Sequence, residues 1–269
     1  MDDRSRALRL RIVEAFAQAG RGHIASAFSL LEIVRVLYDD VLRYRATEPD
    51  WPERDRFVLS KGHGCLGLYV LLAEKGFFAD QELDRVASFE ALLGGHPEHV
   101  IPGVEASTGA LGHGLSIAVG MALAARIDQS PRRVFALVGD GECAEGAIWE
   151  AAISANKHQL SNLTVLVDRN HFQCFGPTEE VAPLESLSEK WTAFGAAVRE
   201  CDGHDPEALA KHLADLPFEE DRVSVLICHT VKGRGVPAME SSPKWHHTNK
   251  LDEDGLEMLR NALADPAQG

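Results

Sequence analysis

The sequence has little with which to crosslink itself. Its five cysteines, Cys65, Cys143, Cys174, Cys201 and Cys228, are odd in number and widely spaced, with no Cys-x-x-Cys pair. Neither a disulfide framework nor a zinc site is therefore expected, and a reducing, cytoplasmic setting is. Positive charge is also scarce: 27 Lys and Arg face 41 Asp and Glu, a formal net charge of −14. That balance repels polyphosphate backbones and anionic membrane surfaces, so neither nucleic acid nor a membrane is an expected partner. A small phosphorylated ligand is compatible with it, because a few local His, Arg and backbone N–H groups can outweigh the mean field. The Met-Asp-Asp start runs into an amphipathic pattern, so no signal peptide or membrane span is expected. Internal repeats and low-complexity tracts are lacking too.

What is there is an ordinary globular composition, 45% hydrophobic and 25% charged over 269 residues. Apolar residues Leu8, Ile12, Ala15, Phe16 and Ala19 recur at helical spacing and predict a helix over 4–19. A second helix is expected after Phe28, through Leu31, Val34, Leu37 and Leu42. Residues 56–60 read as a short buried strand, and 66–75 as a helix stopped by Gly76. The stretch 94–114 is a long Gly/Pro/His-rich connection, a kind of loop that is usually functional or disordered. It leads into an Ala-rich helix over 115–127.

The next segment carries most of the information. Two continuous apolar runs, 134–138 and 163–167, flank a helical stretch over 145–158. A third run, 223–228, follows a predicted helix over 206–216, with a further short strand at 196–200 and a last helix at 256–263. Strands buried on both faces alternating with helices indicate an α/β fold, a mostly parallel sheet flanked by helices. One domain spanning 1–269 is the economical expectation.

In such a sheet, ligands bind beyond the carboxyl ends of the strands. The first run ends in Gly139-Asp140-Gly141 and the second in Asp168-Arg169-Asn170, a separation of 170 − 140 = 30 residues between Asp140 and Asn170. A helix crossover needs about that length, so two hard oxygen ligands converge without being near in sequence. Glycine beside Asp140 lets a bulky anion approach the backbone, and a following helix N-terminus favours negative charge. An Asp carboxylate, an Asn amide oxygen and a backbone carbonyl are too few for a Ca²⁺ cage. They suit Mg²⁺, which completes its octahedron with phosphate oxygens and water.

The chain also has twelve histidines, and several sit in Gly-flanked loops: Gly22-His23, Gly62-His63-Gly64, Gly95-His96-Pro97 and Gly112-His113-Gly114. Imidazoles can bond sugar hydroxyls and shuttle protons near neutrality. Arg21, Lys61, Lys232 and Arg234 fit either phosphate contact or solvated surface charge.

These motifs together resemble transketolases. The run from Gly139 to Gly146, with Trp149-Glu150-Ala151, is similar to the family's thiamine-diphosphate signature, which closes at Asn170. Gly22-His23, Ser60-Lys61-Gly62-His63, Gly95-His96-Pro97-Glu98, the loop from Ser107 to Gly114 and Trp245-His246 resemble further family motifs, in family order. The resemblance implies thiamine diphosphate as cofactor, with Mg²⁺ (or Ca²⁺ or Mn²⁺ in its place) held by Asp140, Asn170 and the Phe172 carbonyl. It implies cofactor binding by His63, Gly109, Leu111, Gly139, Asp140, Gly141, Glu145 and Asn170, and catalytic roles for His23, His63, His96 and His246. Glu145 resembles an interface glutamate that links cofactor sites. His99, His158, His204 and His212 match no motif and read as surface residues. The chain departs from the family after His23, where it reads Ile-Ala-Ser-Ala-Phe-Ser, at His113, commonly Gln, and at His247-Thr248.

A full transketolase is more than twice this long, and nothing after Lys250 has room for its second α/β domain. The expectation is therefore the N-terminal subunit of a split enzyme that moves a two-carbon ketol unit from an anionic ketose to an aldose. A separate C-terminal subunit would supply the pyrimidine-binding domain and its activating glutamate, in an α2β2 assembly. The alternatives are a subunit resembling deoxyxylulose-phosphate synthase or a 2-oxo acid dehydrogenase, or a non-catalytic regulatory subunit.

Overall fold

The computed structural model describes residues 1–264. Helix α1 (Asp3–Ala19) starts where the Asp2 carboxylate accepts from the Ser5 N–H at 2.7 Å. It stops at Gly20, whose φ of 66° sends the chain back. A two-residue strand β1 (Arg21–Gly22) then leads into α2 (Ile24–Ser29) and α3 (Leu31–Val36). The helix expected after Phe28 thus starts four residues earlier, directly after His23, and is broken at Leu30. Leu30 packs so closely on Gly64 and Gly67 that a Cβ at either would lie 2.3 or 2.9 Å from its methyls.

Strand β2 (Arg56–Leu59) is followed by α4 (Cys65–Glu74), and the long connection ends in α5 (His113–Ile127). Then come β3 (Val134–Gly139), α6 (Gly146–Lys157), β4 (Leu163–Arg169), α7 (Thr178–Val181), α8 (Leu187–Ala193), β5 (Ala197–Asp202), α9 (Pro206–Ala214) and β6 (Ser224–His229). A second two-residue strand, β7 (Thr248–Asn249), precedes α10 (Glu253–Ala264). A 3-10 turn, Gly141–Ala144, separates β3 from α6, so the α-helix itself begins several residues beyond Asp140 rather than at its edge.

The five long strands form one parallel sheet in the order β2-β3-β4-β6-β5. Along β3 the side chains alternate between two cores: Phe135 and Leu137 join α1 to α4, α9 and α10, whereas Val134, Ala136 and Val138 join α5, α6 and α8. All are buried, which explains the continuous apolar run. Truncating one of them, such as Leu137→Ala, is a change that costs about 2–5 kcal/mol in a core this well filled. The small strands β1 and β7 pair antiparallel, Arg21 opposite Asn249 and Gly22 opposite Thr248. This pairing brings the segment after Trp245 onto the Gly22-His23 turn.

Candidate active site

Strands β3 and β4 are hydrogen-bonded neighbours, so Asp140 and Asn170 emerge side by side at the carboxyl edge of the sheet. Both are buried and line a cleft of about 320 Å³. Asp140 Oδ1 accepts from the Gly141 N–H at 2.7 Å, and Oδ2 from the His171 N–H at 2.6 Å and from Arg169 at 3.2 Å. That guanidinium is shared with Glu179 at 2.8 Å and Glu185 at 2.6 Å. Burial, and next the charge of Asp168, push the Asp140 carboxyl above its ordinary value despite Arg169. A cation beside Asp140 would relieve both effects.

Asn170 Nδ2 faces Asp168 at 3.3 Å, which turns its Oδ1 toward the Phe172 N–H at 3.1 Å and leaves that oxygen a second lone pair. The Phe172 carbonyl accepts from Lys232 at 3.3 Å. Among the described residues no three His, Cys, Asp or Glu side chains converge as a metal cage. A carboxylate, an amide oxygen and a carbonyl oxygen therefore fit a hard cation only if other oxygens complete its shell. Gln173 Nε2, on the same cleft, is buried and has no hydrogen-bond partner among the described residues, a donor available to an anionic ligand. These residues fit a divalent ion bridged to a diphosphate.

Beneath the cleft lies a buried ionic network. Asp168 is contacted by Lys61 and Thr230 and accepts from Ser29 at 2.6 Å. Burial opposes ionisation of Asp168, but Lys61 prevails and holds its carboxyl below the ordinary value. Glu142, also buried, accepts from Ser60 at 2.5 Å and from the N–H groups of Gly112 and Gly139 at 2.9 and 3.0 Å. One side chain thereby ties together the His63 loop, the 107–114 loop and the end of β3. In that second loop Gly109 has φ +136°, and a Cβ there would meet the His96 ring at 2.7 Å. Gly109 and Leu111 both reach the cleft, and Glu145 stands exposed at its rim.

The four candidate histidines converge on this cleft. The His23 ring centroid lies 5.1 Å from that of His63, 6.4 Å from His96 and 5.3 Å from His246. His23 Nδ1 is 2.7 Å from the His246 carbonyl, an acceptor, so Nδ1 carries the proton and Nε2 is left with a lone pair. His246 is opposite. Its Nδ1 faces the Lys232 ammonium at 2.7 Å and must accept, so its Nε2 bears the proton. Burial drives His23 down to about 4 and His246, with Lys232 adding to the effect, to about 3. His63 is held well below its ordinary value by burial and then Lys61, and His96 is lowered by burial. All four rings are neutral at pH 7. The wall therefore offers one acceptor nitrogen on His23 and one donor N–H on His246 to sugar hydroxyls.

Every residue expected to act in the site lines the one cleft: His23, His63, His96, Gly109, Leu111, Gly139, Asp140, Gly141, Glu145, Asn170, Phe172 and His246. His113 does not; it is exposed and turned toward its own Leu111 carbonyl. Of the two alternatives open for Lys61 and Lys232, solvated surface charge is removed, because both are buried against Asp168 and the His246 ring. The surface readings of His204 and His212 need correction. His204 is mostly buried, with Nε2 accepting from the Val231 N–H at 2.8 Å and Nδ1 donating to Glu32 at 2.9 Å. His212, likewise expected at the surface, is half-buried on α9, while His99 and His158 are exposed. Glu142 stands in the signature itself, yet its role was unreadable there, since its three partners come from distant loops.

Residues 2–268 match the family described as transketolase, thiamine diphosphate binding domain. The chain is 44% identical over 252 residues to one of the subunits of an apulose-4-phosphate transketolase from Phocaeicola vulgatus, covering 94% of this chain and 90% of that protein. It is 38% identical to a 6-deoxy-6-sulfo-D-fructose transketolase subunit from a Clostridium species, over 96% of this chain and 93% of that one. Among solved structures, a transketolase from Leishmania mexicana superposes with a TM-score of 0.89 at 29% identity. That match covers 98% of this chain but 41% of the Leishmania chain, so the chain spans about two fifths of that transketolase.

Proposed function

The chain belongs to the transketolase family, as its thiamine-diphosphate-binding domain, and from that premise we propose that it is one subunit of a split transketolase. In this reading residues 1–269 are one domain. The enzyme moves a two-carbon ketol unit from an anionic ketose to an aldose, as the names of its subunit relatives suggest for those proteins. The observation that carries the proposal is the convergence of His23, His63, His96 and His246 on the cleft that also holds Asp140, Asn170 and Phe172.

Asp140, Asn170 and the Phe172 carbonyl would hold Mg²⁺, or Ca²⁺ or Mn²⁺ in its place. His63, Gly109, Leu111, Gly139, Gly141 and Glu145 would surround the cofactor. Thiamine diphosphate supplies, when bound, the nucleophilic carbon that carries the two-carbon unit. The chain's own residues position the sugar and move protons. His23 Nε2 accepts from a hydroxyl of the ketose, and His246 Nε2–H donates to a neighbouring oxygen. Lys232, bonded to both His246 and the Phe172 carbonyl, fixes the histidine wall relative to the metal ligands.

The proposed partner is a separate C-terminal subunit supplying the pyrimidine-binding domain and its activating glutamate, two copies of each chain making an α2β2 assembly in the cytoplasm. Among the described residues, no helix is long and apolar enough to cross a membrane. Glu145 at the rim and the exposed Phe175 nearby, 88% accessible, would lie against a neighbouring subunit. Reconstituting this chain with its partner and assaying ketol transfer from a phosphorylated ketose tests the proposal. Each chain alone should be inactive.

A further inference from the structure

The sheet gives two of the five cysteines a relationship that their spacing in sequence hides. Cys201 on β5 is in direct register with Cys228 on β6. Both side chains stand on one face, in the core that also holds Leu209 and Leu213 of α9, and the two thiols are within hydrogen-bonding reach. Registered residues on neighbouring strands lie about 4.8 Å apart, inside the Cα window of roughly 4.4–6.8 Å that a disulfide needs. Both thiols are free, Cys228 buried and Cys201 half-buried. Strand β5 is outermost in the sheet order, so a small shift of it toward β6 brings the two sulfurs to bonding distance. The row continues inward, because Cys228 is in register with Asp168 on β4. Asp168 is the carboxylate that Lys61, Thr230, Ser29 and the Asn170 amide share. Gly203, just beyond β5, fills the space behind the pair: a Cβ there would lie 3.0 Å from Cys228 Cβ and 2.5 Å from Thr230 Cγ2. The end of β5 therefore cannot approach β6 without pressing on Thr230.

We propose that Cys201 and Cys228 are a redox pair, closed by a small soluble disulfide, whose bond loosens the cofactor cleft. The identity of the cofactor affected rests on the thiamine-diphosphate reading. The half-buried Cys201 reacts first: its thiolate attacks one sulfur of the reagent, forms a mixed disulfide and releases one small thiolate. The Cys228 sulfur then attacks that of Cys201, the bond to the reagent breaks, and the Cys228 proton leaves on the departing thiolate. Two electrons pass from the protein to the reagent, which ends as two small thiols. Burial, then Cys201 and Asp168, raise the Cys228 thiol well above its ordinary value. Because the thiolate is the nucleophile, the second step is slow, and the pair stays reduced in a reducing compartment. Closing the bond draws β5 onto β6, presses Gly203 against Thr230 and takes Thr230 from Asp168. Asn170, bonded to the same carboxylate, loses the partner that holds its Oδ1 toward the cleft.

The experiment uses the complex of this chain with its partner, treated with oxidised glutathione. Cys174 is exposed on the main cleft and would react on its own account, so Cys174→Ser is compared with the Cys174→Ser, Cys201→Ser double variant. Peptide mapping by mass spectrometry without reductant should find Cys201 linked to Cys228 in the first, and the link should vanish with dithiothreitol. Glutathione left on Cys201 alone, or no reaction, overturns the proposal. The oxidised complex should bind thiamine diphosphate with Mg²⁺ on the order of tenfold to a hundredfold more weakly, as when the groups that orient a metal ligand are lost. Reduction should restore the affinity, and the double variant should show no change. A linked chain that keeps its affinity, or an equal loss in the double variant, overturns the switch. Amide hydrogen exchange at residues 168–172 and 229–232 should quicken on oxidation, and unchanged exchange also overturns it. That arm decides the coupling even if the reduced complex binds no thiamine diphosphate, a result that would remove the functional reading alone.

Discussion

His23 donates its Nδ1 proton to the main-chain carbonyl of His246 at 2.7 Å, a bond that closes 223 positions of sequence. It sets the protonation pattern of the histidine wall, because a ring fixed as donor at Nδ1 can only accept at Nε2. The β1–β7 pairing next to it holds the two segments in register.

If that wall binds the ketose, His23→Ala should lower kcat/KM for the donor by roughly ten- to 200-fold, the loss of one or two hydrogen bonds in the transition state. His23→Asn keeps an oxygen acceptor and should recover part of the loss. Thiamine diphosphate affinity, measured by calorimetry, should stay within about threefold of wild type. A kinetic effect confined to cofactor binding would contradict the role given to His23.

Acid should weaken the fold through the same rings. His23 titrates near 4 in the folded chain, and His63 is held well below its ordinary value, against about 6.5 when unfolded. Below pH 6.5 the unfolded chain therefore binds more protons than the folded one, so stability falls as pH drops from 6.5 toward 4. Thermal melts at fixed ionic strength should show this decline, and a His23→Gln, His63→Gln double variant should show a shallower one. Parallel pH profiles for the two proteins would contradict the assignment.

Asp140 and Asn170 are expected to make diphosphate binding metal-dependent. Calorimetric titration of the complex with thiamine diphosphate should give tight binding with Mg²⁺ and weak binding after EDTA. In Asp140→Ala that difference should collapse. Binding that ignores both EDTA and the substitution would remove the metal from the site.

How much of this was legible in the sequence depends on whether the signal is local. Asp140 and Asn170 could be placed because apolar runs buried on both faces mark parallel strands, and ligands gather where such strands end. The histidines stood out through their glycine neighbours, and Gly64 beside His63, where a Cβ would lie 2.3 Å from a Leu30 methyl, shows why glycine was needed at one of them. Lys61, Lys232 and Glu142 look like surface charges in sequence, since their burial depends on partners from distant loops. Strands β1 and β7 are two residues each, too short to produce a period. At Leu30, where the helix breaks, the side chain packs on Gly64 and Gly67, a contact that no local pattern announces.

His204 offers a test of the buried network away from the cleft. It donates to Glu32, which Arg9 also holds, and accepts from the Val231 N–H, bracing the segment that carries Lys232. His204→Ala leaves the half-buried Val231 N–H and the buried Glu32 carboxylate each without one partner and should cost about 1–3 kcal/mol in urea denaturation. An unchanged midpoint would show that the triad carries no stability.

In the proposed assembly this chain contributes the diphosphate and histidine half of a transketolase and depends on a partner for the rest. Ketol transfer from a phosphorylated ketose to an aldose, assayed with thiamine diphosphate and Mg²⁺, tests it most directly. No turnover is expected from this chain alone, none from the partner alone, and robust turnover when the two are mixed in equal amounts. Substantial turnover by the purified single chain would contradict it.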